Sequence, residues 1–401
     1  MTYSAVLRNR EFAALLAAEV LSVAGDQLAR IAVAVLVFDR TDSALAASAT
    51  YAMSYATYLL GGPVLSALAD RQPHLRVLIV CDLLRAPLVL VLCISDLPLW
   101  LVFAAVAAVG ILGPPFDSAR GAVQPDLLSG EAYIRGAALM QIAGQAAQVA
   151  GFAAGGALVA ATNAQTALGI DASSFLLSAG LIMSQLRQRP AGQTAEQTGS
   201  LIRDTREGFQ LVVRDPVLRS LLLFALLTSF AIIAPEGLAV PIAHTFGRGA
   251  LEAGILTAAV PMGFLAASAA LLRVETAARV RLLPWLALLS CVPLLATPLA
   301  SSLPAVVALW FVGGAGGTAN LIASSAFMQA CPRPFRARAY GLAGTSLYAV
   351  QGGALVLAGA LAEPLGPRGS VGATAFLSLV LLTLFVRSSN IRSQGIGDAG
   401  R

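Results

Sequence analysis

Long apolar runs separated by short polar connections dominate this chain, and that pattern decides what it can fold into. About 20 helical residues cross the hydrocarbon core of a bilayer. Lipid accepts only helices or closed barrels there, because each backbone polar group must be satisfied within the protein. Of the 401 residues, 57% are hydrophobic and 12% charged, against about 25% charged in soluble domains. No soluble fold hides that much apolar surface, so the membrane is the expected solvent.

Hydropathy and loop punctuation place twelve spans, at 12–38, 44–68, 77–95, 98–116, 136–161, 166–186, 217–243, 251–272, 282–299, 304–328, 339–362 and 370–386. The first run exceeds a signal-peptide core and lacks a small-residue cleavage pattern, so it is expected to remain as the first span. The longest polar stretch, rich in Gln, Thr, Arg and Glu, divides the chain into an N-terminal six-helix bundle (1–189), a cytoplasmic linker with a short amphipathic helix (190–215), and a C-terminal six-helix bundle (216–401).

All 26 basic residues are arginine. The missing lysine excludes a Walker-type nucleotide loop and a pyridoxal Schiff base. Of these arginines, 21 fall on even-numbered connections or termini, three (Arg40, Arg248, Arg368) on odd-numbered connections, and two (Arg30, Arg85) inside spans. Positive charge gathers on the cytoplasmic side, so both termini are expected in the cytoplasm. The same dispersion argues against nucleic acid as a partner, which calls for one basic patch. Four cysteines and two histidines (His74, His244) show no metal-binding or disulfide spacing. No cofactor, metal or enzymatic chemistry is expected.

A faint internal repeat supports two halves. Arg8-Asn9-x-x-Phe12-x-x-Leu15-Leu16 enters the first span and Arg214-Asp215-x-x-Leu218-x-x-Leu221-Leu222 the seventh, while Gln124 and Gly136 find counterparts in Gln329 and Gly341. Parallel six-helix repeats are one of the transporter architectures.

The connection Ser66-Ala67-Leu68-Ala69-Asp70-Arg71-Gln72-Pro73-His74-Leu75-Arg76 resembles the signature loop of the major facilitator superfamily, Gly-x-Leu-x-Asp-Arg-x-Gly-x-Arg. Asp70, Arg71 and Arg76 match, whereas Ser66 and Pro73 stand at its glycine positions. Asp82-Leu83-Leu84-Arg85-Ala86, Gln124-Pro125-Asp126-Leu127 and Asp171-Ala172-Ser173-Ser174-Phe175-Leu176 are similar to the drug:proton antiporter branch that includes macrolide and enterobactin exporters. Gly151-Phe152-Ala153-Ala154-Gly155-Gly156 is similar to the antiporter motif Gly-Pro-x-x-Gly-Gly, with Phe152 in place of proline.

The resemblance implies a two-bundle fold with a cavity between the halves, alternating access, and a charge latch of Asp70 with arginines such as Arg71 or Arg120. It also implies proton-coupled export of a small amphiphilic compound by a monomer in the bacterial inner membrane. Proton-independent uptake and a non-transporting sensor on the same fold are the alternatives. Small residues at 151, 155 and 156 would let helices approach closely in either case.

Ionisable side chains inside spans are costly and mark function or pairing. Glu19, Asp26 and Arg30 recur at spacings that share one helical stripe. Glu19 and Asp26 are candidates to carry a proton, with Glu236, beside Pro235, as a third; alternatively Asp26 and Arg30 neutralise each other as an i,i+4 pair. Asp82 and Arg85 at i,i+3 suit a structural or gating pair, and Asp171 is expected near the outer surface in contact with water. Gln141, Gln145 and Gln148 share one face of the fifth span, placed either to meet a polar substrate or to tie helices together.

Overall fold

The computed structural model describes residues 6–69, 72–187, 209–332 and 335–388. Thirteen α-helical segments make up its twelve spans among these residues: α1 (Arg10–Thr41), α2 (Ala44–Ala69), α3 (His74–Leu92), α4 (Leu99–Ile111), α5 (Gly113–Leu127), α6 (Gly130–Ala161), α7 (Ala164–Gln185), α8 (Pro216–Thr245), α9 (Ala250–Leu271), α10 (Thr276–Leu295), α11 (Leu303–Gly316), α12 (Thr318–Ala330) and α13 (Arg336–Ser388). Nine stretches of the described residues are long and apolar enough to cross a membrane; α2 and α3 add two more, and the stretch Gly341–Arg387 folds back on itself to form two. The turn is at Gly366, whose φ of 73° and ψ of 158° suit a residue without a Cβ.

Helix entry explains the repeat. Asn9 caps α1 by accepting from the Phe12 N–H, and Asp215 caps α8 by accepting from the Val217 and Leu218 N–H groups. An acceptor side chain satisfies N–H groups that the first turn leaves unpaired, so the matched Arg-Asn and Arg-Asp pairs are start signals for the first helix of each half. The repeat also extends to interruptions. The fourth span breaks at Leu112 between α4 and α5, and the tenth breaks at Gly317 between α11 and α12.

Two boundaries differ from the expectation. The fourth span does not end at Phe116 but continues as α5 to Leu127, and the fifth begins at Gly130. Pro114 and Pro115 occupy the first turn of α5, where a missing N–H costs nothing; they start a helix there. Arg120 and Arg135, expected in connections, therefore lie on helices.

Within the N-terminal half α1 packs on α6 and α7, and α8 is central in the C-terminal half. The halves meet through α2 against α13 and α6 against α9. We call the side where α1 begins the N-face and its opposite the far face. Tight contacts between halves cluster toward the far face. A Cβ on Gly156 would meet the Ala250 carbonyl oxygen at 2.5 Å, and one on Gly359 the Leu45 Cα at 2.9 Å. The Ser48 hydroxyl donates to the Leu355 carbonyl at 2.7 Å, and the Phe38 and His244 rings meet edge-on at 5.4 Å. At the N-face ends, a Cβ on Gly121, Gly341 or Gly344 would meet nothing within 4 Å. Among the described residues the closest contacts between the halves lie toward the far face.

Candidate functional site

At 1.5 Å per residue, Glu19, Asp26 and Arg30 lie about 14, 24 and 30 Å along α1 from its start at Arg10. They share a stripe, and their difference in depth sends each to a different site.

Deepest is a bridge between the halves. Arg30 Nη1 on α1 lies 3.3 Å from Glu236 Oε1 on α8, in a partly buried ion pair. The Tyr55 hydroxyl of α2 donates to the other carboxylate oxygen at 3.4 Å, and the Arg30 guanidinium sits 5.9 Å from the centre of the Tyr55 ring. Arg30 is thus ion-paired to Glu236 in the other half; the i,i+4 pairing with Asp26 is not the one formed. Glu236, beside the buried Pro235 within α8, is mostly buried and bonded, with little exposure for direct capture of a solute.

Asp26 instead lines a pocket of about 90 Å³ within the N-terminal half, together with Arg30, Arg85, Asp171 and Tyr58. Asp171 is 1% exposed, so it is no water-washed surface group; it points into the bundle because α7 packs on α1. Asp82 is fully buried, 3.8 Å from Arg85 Nη1, and the Arg85 guanidinium also lies over Phe116 and Phe175 at 5.0 and 5.5 Å. Buried charge needs such compensation.

Glu19 opens on a third site, a cavity of about 400 Å³ toward the N-face. It is paired there with Arg120 of α5, which also meets Asp117 at 3.1 Å. Glu19 is therefore not the unencumbered carboxylate that the partner-free stripe on α1 suggests. Gln141, Gln145 and Gln148 line the same cavity from α6, joined by Gln27 and Gln124. No aromatic side chain is among the lining residues.

A run of contacts joins cavity and bridge. The Tyr58 hydroxyl donates to Asp117 Oδ2 at 2.8 Å, and Tyr58 and Tyr55 both pack on Tyr348 of the other half, with ring centres 4.7 and 6.1 Å apart. Tyr55, Tyr58, Asp117, Tyr348 and Gln27 had no place in the sequence analysis, and Gln124 stood there only as a repeat and motif position. Two were within reach of it: Gln27 lies two turns from Glu19, and Gln124 one turn from Arg120.

The glycines of the antiporter-like motif divide between neighbours. A Cβ on Gly151 would meet the Ala24 carbonyl at 2.5 Å and one on Gly155 the Leu28 Cα at 2.8 Å, both on α1, whereas Gly156 faces α9 at Gly254. Arg76 is exposed in the first turn of α3. Asp70 and Arg71, and the linker helix up to residue 208, lie outside the described residues.

Comparison with known proteins agrees with this architecture. Residues 15–274 match the Major Facilitator Superfamily. Over 237 residues the chain is 27% identical to a Bacillus subtilis (strain 168) protein named "Uncharacterized MFS-type transporter YfiS", covering 58% of this chain and 56% of that protein, so the match spans about half the relative's length. Among solved structures, a POT family transporter in complex with 5-aminolevulinic acid superposes with a TM-score of 0.76 at 12% identity, covering 96% of this chain and 97% of the other. The nucleoside transporter NupG (D323A mutant) gives 0.76 at 13% identity, with 94% and 99% covered. A bacterial homologue of the human lysosomal transporter Spinster, in an inward-facing and unoccupied conformation, gives 0.68 at 14%, with 94% and 96% covered. At these identities the structural likeness concerns the fold alone.

Proposed function

The chain belongs to the major facilitator superfamily, and from that premise we propose that it is a proton-coupled secondary transporter exporting a small solute by alternating access. The observation that carries the coupling is the Arg30–Glu236 ion pair, because it joins the first helix of one half to the first helix of the other. An acid in that position can link its own protonation to the separation of the halves. When Glu236 is ionised, Arg30 and the Tyr55 hydroxyl hold it across the junction. Protonation removes the charge attraction, and the far-face contacts lose a central tie.

Export is the direction supported by the similarity to the antiporter branch, and the arginine distribution orients the chain. With both termini cytoplasmic, the N-face is the cytoplasmic side of a bacterial inner membrane, and the cavity is open for loading from within. The reading includes a monomer in the lipid bilayer, divided at the boundaries given above, with 190–215 as the cytoplasmic connector. Asp70, Arg71 and Arg76 are assigned to closing the N-face in the outward-facing state. Among the three carboxylates considered for coupling, Glu236 is preferred. Glu19 is committed to Arg120, and Asp26 faces only the pocket inside its own half.

The test is purified protein in liposomes holding a trapped pH indicator, with candidate solutes added under an imposed proton gradient. Wild type should move protons in response to a transported solute, and Glu236→Gln should lose at least ten-fold of that response while still exchanging solute across the bilayer. Equal solute flux with and without a proton gradient in wild type would overturn proton coupling.

A further inference from the structure

The chemistry of the N-face cavity points to what it carries, an inference that rests on the transporter reading above. Five glutamines reach it from three helices: Gln27 on α1, Gln124 on α5, and Gln141, Gln145 and Gln148 on α6. A carboxamide offers two N–H donors and a carbonyl acceptor on one short fork, and a hydroxyl is the small group that uses both kinds at once. Gln27 is the telling member. It is only 8% exposed, it lines the cavity, and its Oε1 has no hydrogen-bond partner. Buried polar atoms are nearly always satisfied, so an acceptor left open beside a cavity is one that a bound molecule would complete.

The remaining lining narrows the class. Of the lining residues only Glu19 and Arg120 are charged, and Arg120 is held by Glu19 and by Asp117 behind the wall, which leaves no free cation for an anionic solute. Apolar lining is limited to Val23, Ala137 and Met140, which is too little for an aromatic ring or a long hydrocarbon face. Room is preserved on the glutamine face itself: a Cβ on Gly144 would meet nothing closer than Glu19 Oε1 at 3.8 Å. A space of about 400 Å³ corresponds to about a dozen waters at roughly 30 Å³ each, enough for a six-carbon solute and some hydration. We infer that the cavity binds a compact, uncharged, polyhydroxylated solute of the polyol or monosaccharide class, held by the carboxamides of Gln27, Gln124, Gln141, Gln145 and Gln148. The amphiphilic cargo implied by the antiporter resemblance does not suit this wall.

Equilibrium binding to the purified full-length chain decides the class, using radiolabelled mannitol, radiolabelled glucose and radiolabelled tetraphenylphosphonium, a lipophilic cation, as probes. Saturable binding of mannitol or glucose is expected, weakened at least ten-fold by Gln145→Leu and by Gly144→Leu, which fills the space without removing a carboxamide. Gln145→Asn should bind with intermediate strength. Circular dichroism melting of each variant separates lost binding from lost folding. Absence of saturable polyol and sugar binding in wild type, or tetraphenylphosphonium binding that only the Gly144 change reduces, would overturn the assignment. Saturable sugar binding without flux in liposomes would instead sink the transport reading and leave the class of ligand standing.

Discussion

Arg30 and Glu236 stand 206 positions apart, the same interval that separates the Asn9 and Asp215 helix caps, and they meet across the two halves at 3.3 Å. Equivalent positions in two parallel repeats face one another near the axis that relates them. Here one repeat placed a cation and the other an anion at that position, so the pseudo-symmetry of the backbone is joined by an asymmetric charge pair.

Charge exchange tests the pair. Arg30→Glu and Glu236→Arg should each place like charges opposite one another, lowering the melting temperature in detergent by an amount matching about 1–3 kcal/mol and weakening gradient-driven flux at least ten-fold. The double exchange should recover a substantial part of the melting temperature. A double variant no more stable than the worse single variant would show that the two residues do not act as a pair.

The Asp82–Arg85 pair is predicted to be structural. Arg85→Leu leaves the fully buried Asp82 uncompensated, which should cost about 3–5 kcal/mol, whereas replacing both partners with leucine should be close to neutral. Thermal unfolding of the two variants is the measurement. Equal destabilisation by both would mean that the cost comes from lost packing on Phe116 and Phe175.

Backbone contact between Gly156 and Gly254 makes the far face sensitive to any added side chain. A Cβ on Gly254 would already meet the Phe152 carbonyl at 2.6 Å. Gly254→Leu should therefore wedge the far face open, raising several-fold the labelling of Ser48→Cys by an impermeant maleimide in a background free of the four native cysteines. Unchanged labelling with normal expression would show that the closed state tolerates the bulk.

Topology has a direct check. Reporter fusions after Arg401 and within 190–200 should both report the cytoplasm, as the distribution of the 26 arginines implies. A periplasmic signal from either fusion would reverse the assignment of the two faces.

The spans were legible because hydrocarbon enforces a length and an apolar composition that loops do not share. Gly366, the residue that turns α13 back, sits in a connection that Pro364 and Pro367 already mark as a break. Partner choice was much less legible. Glu19 shows no counter-charge on α1, since its partner Arg120 is about a hundred residues away on a segment read as a loop. Hydropathy falls after Phe116, where Asp117, Ser118 and Arg120 follow, so the helix that Pro114 and Pro115 start is not marked by an apolar run. The Arg30–Glu236 pair is legible in the repeat, since the interval of 206 between the two helix entrances also separates these two residues. The roles of the glutamines stayed open because a carboxamide stripe serves a cavity wall and a helix contact equally well until neighbouring helices are in place.

The interruptions at Leu112 and Gly317 recur at matching points of the two halves and divide the fourth and tenth spans near mid-depth. At each, the helical ladder gives way to tighter bonds, from the Leu112 N–H to the Val109 carbonyl and from the Gly317 N–H to the Gly314 carbonyl. A rod cut in this way can swing its lower part while its upper part stays fixed. α5 carries Arg120 and Gln124 into the cavity, so such a swing would redraw the mouth of the chamber without shifting the far-face seam. Opening and sealing would then be separable acts, closer to a lock with its own hinged inner gate than to a see-saw tilting as one piece.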